Sequence, residues 1–207
     1  WFQFFVTSPS QALTDRAIVG AFDVNHEHPV LAKNLFGLSY LLFHEKLHWL
    51  RPAAAVRLPA FMFAGLLVSL TFLLARKVLQ RPAALLAAVS FLVVPRQFFH
   101  SHLACFDIPI AAMWLCVVYC YIESLHRPKW WLLTGVAFGL ALASKHNAFF
   151  IPLVLIPFSL YRGWKTSANN VTARQRFLAI NAVYVAGAAL YLLLFVILGP
   201  ERFQSGF

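Results

Sequence analysis

One stretch gathers most of the side chains that could do chemistry: Pro95-Arg96-Gln97-Phe98-Phe99-His100-Ser101-His102-Leu103-Ala104-Cys105-Phe106-Asp107-Ile108-Pro109. Asp107 is the sole acid between Glu45 and Glu123, and it stands at the mouth of an apolar run. A carboxylate is costly to hold at a bilayer edge, which makes it a functional-site candidate by default. The chemistry open to it there is proton transfer or the orientation of a cation. Its structural alternative is to cap a helix that begins at Ile108.

Two further polar groups frame this stretch. Lys145-His146-Asn147 separates two apolar runs, and Asp23, His26, Glu27, His28 and Lys33 precede the first long one. His26, Glu27 and His28, joined by His100 and His102, could ligate zinc, copper or iron. Neither histidine pair has the i,i+4 spacing of a helical zinc motif, and there is no Cys-x-x-Cys. No metal ligand is therefore assigned, and a divalent metal stands only as an alternative to plain interfacial hydrogen bonding. No other cofactor is implied.

The elements that position these groups are apolar helices. The 207 residues are 61% hydrophobic and 12% charged, against about half and a quarter in soluble domains, so the chain reads as an all-α, polytopic integral membrane protein. Uncharged runs cover 58–75, 82–95, 108–122, 130–144, 146–161 and 177–200, which makes about six spans. A spanning helix needs about 20 apolar residues. Only the last run clears that easily, and the middle ones need their loops to dip into the interface or the bilayer to adapt. The net charge of +10 is spread between apolar runs rather than gathered on one face, which argues against nucleic acid as a partner. Cys105, Cys116 and Cys120 lie in or beside one helix and read as packing residues rather than a disulfide framework.

Charge sets the topology. If the six spans alternate, one side holds Arg76, Lys77, Arg81, Arg127, Lys129, Arg162, Lys165, Arg174 and Arg176 against a single acid, Glu123. The other side holds six of the seven acids and seven of the eight histidines. The positive-inside rule makes the first side cytoplasmic. The candidate groups then share the periplasmic or extracytoplasmic face, in a membrane that reads as the bacterial inner membrane. The Asn170-Val171-Thr172 sequon falls on the other side and is read as chance.

Residues 1–57 read as a periplasmic segment with interfacial helices, 58–200 as the transmembrane domain, and 201–207 as the start of a further periplasmic segment. Within the first, His28 precedes a proline and should be extended, and a helix can open at Pro29. From there Leu31, Leu35, Leu38 and Leu42 separate from Lys33, Gly37, Tyr40 and His44, which predicts an amphipathic helix on the membrane surface. The chain opens on Trp1 without a signal-peptide pattern and reads as a piece of a longer protein.

The order of these motifs resembles the GT-C class of polyprenyl-phosphate-dependent glycosyltransferases, of the protein O-mannosyltransferase or family 39 type. His28-Pro29-Val30-Leu31-Ala32-Lys33 is similar to that family's His-Pro-Pro-Leu-(Gly/Ala)-Lys motif, with Val30 at the second proline. Asp107-Ile108-Pro109-Ile110 matches its Asp-x-Pro-Leu, and Gly135–Lys145 its Gly-rich helix ending in lysine. Two features depart: His102 stands where many members have arginine, and the family's Asp-Glu pair has no counterpart, which places that pair upstream of residue 1 together with a first helix.

The resemblance implies transfer of a sugar from a polyprenyl-phosphate donor to an acceptor hydroxyl on protein, lipid or glycan. It implies a carboxylate to take the acceptor proton, with Asp107, Asp23 and Glu27 as candidates. Cations and polar groups would hold the departing phosphate and the substrates: His28, Lys33, Arg96, His100, His102, Lys145, His146 and Asn147. The competing classes are a carrier with ionisable residues at broken helices, a metalloenzyme, and a non-catalytic assembly subunit. Charges at the ends of the spans, rather than at mid-membrane, favour the transferase.

Overall fold

In a computed structural model, residues 2–22, 29–127, 129–166, 175, 178, 181 and 182 are described. All regular structure among them is helical. Three short helices, α1 (Phe2–Thr7), α2 (Pro9–Ala12) and α3 (Asp15–Phe22), precede α4 (Val30–Tyr40). The apolar helices follow: α5 (Pro52–Ala75), α6 (Arg81–Val93), α7 (Pro95–Ser101), α8 (Asp107–Ser124), α9 (Trp130–Ser144) and α10 (Ile151–Thr166). They account for five of the six runs expected as spans. The sixth, 177–200, lies almost wholly outside the described residues.

By length and composition α5 and α8 can each cross a membrane, and α6 with α7 makes a third candidate, bent by 69° at the break between them. Pro95 explains the break: it cannot donate to the ladder, and Val94 before it takes an extended ψ of 121°. Exposed leucine and valine on α6, α9 and α10, among them Leu86, Val93, Leu132, Leu133, Leu153 and Val154, would be costly in water and suit lipid. This is an all-α integral membrane protein.

The core lies around α8. Val117 and Tyr121 of α8 are buried against Ala137 and Ala141 of α9 and Ile151 and Leu155 of α10. Alanine at the α9 contacts lets the two backbones approach, as membrane helices require when no hydrophobic force drives them together. The helices run antiparallel along their whole length. Trp130 at the start of α9 meets Tyr119 near the end of α8, with ring centroids 5.7 Å apart. Lys145, just past α9, meets Asp107 at the start of α8. The return through α10 carries Ser159 to a hydrogen bond with Tyr121. The pair α9 and α10 therefore spans as much depth as α8.

Helix α5 starts at Pro52, ahead of its apolar run, and contains Pro59. A proline there leaves the Ala55 carbonyl without its ladder donor. Ser39 of α4 supplies one: its buried hydroxyl donates to Ala55 O at 2.6 Å. This contact fixes α4 to α5. The stripe that α4 buries is Ala32, Phe36 and Ser39, while Leu38 and Leu42 of the leucine stripe stay exposed. Leu35, Leu38 and Leu42 line an apolar cavity of about 400 Å³ shared with Pro59, Met62 and Phe63 of α5. The helix continues through a wide turn over Leu41–Lys46, which His48 closes with a φ of 54° and a ring N–H donated to His44 O at 2.8 Å. In that turn the neighbouring Glu45 carboxylate holds the Tyr40 pKa above the ordinary value.

Candidate functional site

Asp107 is the first residue of α8, and the position before it, Phe106, makes no side-chain cap. Its carboxylate turns instead to two basic groups from other elements. Oδ2 lies 3.2 Å from His100 Nδ1, and Oδ1 lies 3.3 Å from Lys145 Nζ. His100 comes from the last turn of α7. Lys145 comes from the end of α9, where an extended residue (φ −162°, ψ 137°) joins α9 to a tight turn over His146–Phe150. The site is built by two breaks in helical structure that converge on a third helix's first turn. Half of the Asp107 side chain remains exposed, at 52%, so the cluster opens outward rather than into the core.

Cys105 completes the group. Its Sγ lies 3.8 Å from His100 Nδ1 and 3.6 Å from the His100 carbonyl. Read from sequence as a packing residue, it stands among the polar side chains of the site. The signal that could have found it is the spacing His-x4-Cys-x-Asp between the end of one helix and the start of the next.

The two histidines of this stretch part company. The expectation grouped His102 with His100, but His102 is exposed, donates Nδ1–H to Phe98 O at 2.7 Å, and packs its ring on Phe98 and Phe61. Arg96 is exposed in the first turn of α7. Lys33 and His146 are partly buried and engaged, and Asn147 is exposed. Asp23, Glu27 and His28 lie outside the described residues, as does His26.

The opposite end of α8 carries a second polar cluster of different character. Glu123, nearly buried, pairs with Lys77 at the end of α5, and Arg127 approaches its other oxygen at 3.8 Å. Lys77 also stands over the Tyr119 ring, 5.5 Å from its centroid. Asp107 and Glu123 are separated by sixteen helical steps, about 24 Å at 1.5 Å per residue. That separation is on the scale of a hydrocarbon layer about 30 Å thick.

The apolar cavity beside α4 lies close to the first of these ends. Phe36 of α4 meets Phe106, the neighbour of Asp107, with ring centroids 6.5 Å apart. Phe63 and Leu66, which line the cavity, pack against the buried cluster that joins Ala64 and Leu67 of α5 to Ile108 and Ala112 of α8. An outward-facing carboxylate held between two basic side chains, with an apolar recess nearby, can accept a proton and bind an anion at one edge of a membrane.

No curated protein and no solved structure matches the chain significantly. The family model of the dolichyl-phosphate-mannose-protein mannosyltransferases matches residues 27–199, a span that holds α4 through α10 and the whole Asp107 cluster. Coverage on that scale shows that the chain belongs to this family of GT-C membrane glycosyltransferases.

Proposed function

We propose that this chain carries a sugar from a polyprenyl-phosphate donor to an acceptor hydroxyl at the extracytoplasmic edge of the membrane. Its family consists of membrane glycosyltransferases of mannosyltransferase type, which use a lipid-linked sugar and a protein acceptor. The finer reading rests on one observation: Asp107 bridges His100 and Lys145 at the end of α8 remote from the Lys77–Glu123–Arg127 cluster.

In the transfer, the acceptor oxygen bonds to the anomeric carbon while the bond from that carbon to the phosphate oxygen breaks. The phosphate leaves with the electron pair, and the hydroxyl proton passes to a base. Lys145 serves the departing phosphate as a point charge. Asp107 and His100 serve the proton. With Oδ2 3.2 Å from Nδ1, the carboxylate stabilises an imidazolium that forms when His100 takes the proton. Lys33, Arg96, His102, His146 and Asn147 are substrate contacts in this reading; Asp23 and Glu27 are further candidates for the base, and His28 for a substrate contact. The cavity of about 400 Å³ between α4 and α5 suits the first isoprene units of the donor.

The test is label transfer by the protein in nanodiscs, from polyprenyl-phosphate mannose and other hexoses or pentoses to envelope protein, lipid and glycan acceptors. Asp107→Asn should lower transfer by about 10²–10⁴-fold, the span of a lost proton-transfer group. Lys145→Gln should weaken it more than Lys145→Arg. Transfer unchanged in Asp107→Asn would reduce Asp107 to a residue that only aligns α7 and α9 at the start of α8.

A further inference from the structure

We infer that His100, Cys105 and Asp107 form a three-ligand zinc site, with the fourth position open to the outer face. The imidazole nitrogen, the thiol sulfur and a carboxylate oxygen lie within 4.8 Å of one another. Zinc bonds of about 2.0–2.3 Å at a tetrahedral angle put neighbouring ligand atoms about 3.3–3.6 Å apart. The observed edges are 3.2 Å from Nδ1 to Oδ2 and 3.8 Å from Nδ1 to Sγ. Shifts of a few tenths of an ångström bring these two onto the tetrahedron; the third edge, from Sγ to the carboxylate, lies within 4.8 Å and closes by up to about 1 Å through side-chain rotation.

The donor set selects the metal. One nitrogen, one sulfur and one oxygen suit a borderline cation such as zinc, whereas magnesium and calcium take oxygen alone. A thiolate and a carboxylate together neutralise the double charge. Zinc would bind through Oδ2, which leaves Oδ1 with Lys145. The three ligands fall within eight consecutive residues, in the break between α7 and α8. Little chain has to be ordered to bring them together. Since Nδ1 would face the ion, Nε2 would carry the ring hydrogen, so zinc would turn His100 outward as a donor instead of an acceptor. Metal capture here is a property of the α7–α8 break and does not require the transfer reading.

The experiment is cobalt titration of the whole, chelator-treated protein in detergent, followed by zinc. One equivalent of cobalt should give thiolate-to-cobalt charge-transfer absorption in the near ultraviolet, and zinc should bleach it. The double variant Cys116→Ser with Cys120→Ser removes the other two thiols of these 207 residues and should keep the band. Cys105→Ser should lose it, with affinity reduced by more than about 100-fold, beyond the loss common for outer-shell changes. Absence of the band at one equivalent in both wild type and the double variant would overturn the assignment, as would a band that survives Cys105→Ser. Sugar transfer enters none of these readouts, so failure here is distinguishable from failure of the proposed function.

Discussion

Ser39→Ala should destabilise the protein because of a proline twenty residues away. Pro59 has no N–H, so the Ala55 carbonyl inside α5 depends on the Ser39 hydroxyl, 2.6 Å away and buried. Hydrogen bonds between membrane helices contribute about 0.6 kcal/mol on average and up to about 1.7 kcal/mol, the mean being low because most groups find another partner. A carbonyl opposite a proline has fewer alternatives, which puts this bond at the upper end, about 1.5 kcal/mol, or roughly tenfold in the folding equilibrium. In Pro59→Ala, residue 59 regains its N–H and donates to Ala55 O along the helix. Removing Ser39 in that background should then cost only about 0.5 kcal/mol. The assay is unfolding in mixed micelles for wild type, both single variants and the double variant. The intrinsic effect of replacing proline in a helix cancels in the cycle, and a coupling of about 1 kcal/mol remains. A coupling within about 0.3 kcal/mol of zero would refute the reasoning, since the hydroxyl would then be indifferent to the missing N–H.

Two other outcomes follow from the polar ends of α8. Lys77→Met strips the nearly buried Glu123 of its hydrogen-bonded partner and leaves only Arg127 at 3.8 Å; stability should fall by about 1–3 kcal/mol, while transfer per folded molecule holds, as micelle unfolding and the transfer assay would report. In a background with Cys105, Cys116 and Cys120 replaced, His102→Cys should react with an impermeant maleimide from the extracytoplasmic face and Arg127→Cys from the cytoplasmic face. Labelling of both from one side would refute the proposed topology.

The apolar runs and the charge asymmetry between loops were enough to make this an all-α membrane protein. They work because a bilayer leaves buried backbone no choice but helix. The lone Asp107 at the mouth of a run was equally plain in sequence, as were the motifs that tie the chain to its family. What the sequence could not supply was partnership across distance. Two histidines in His-x-His look alike on paper, yet about 100° of rotation per helical residue sends them to different faces, so His100 meets Asp107 and His102 meets Phe98. Lys145 reaches Asp107 from 38 positions away only because α9 packs antiparallel along α8. Cys105 passed for packing because sulfur is at home in apolar surroundings, and only the break between α7 and α8 turns it toward His100. The leucine stripe of α4 was legible as one face of a helix, but nothing local showed that Ser39 on another face would answer the carbonyl that Pro59 leaves without a donor. Periodicity and composition, the local properties, determined the elements. The pairing of polar groups depended on which helix ends meet, and only tertiary packing decided that.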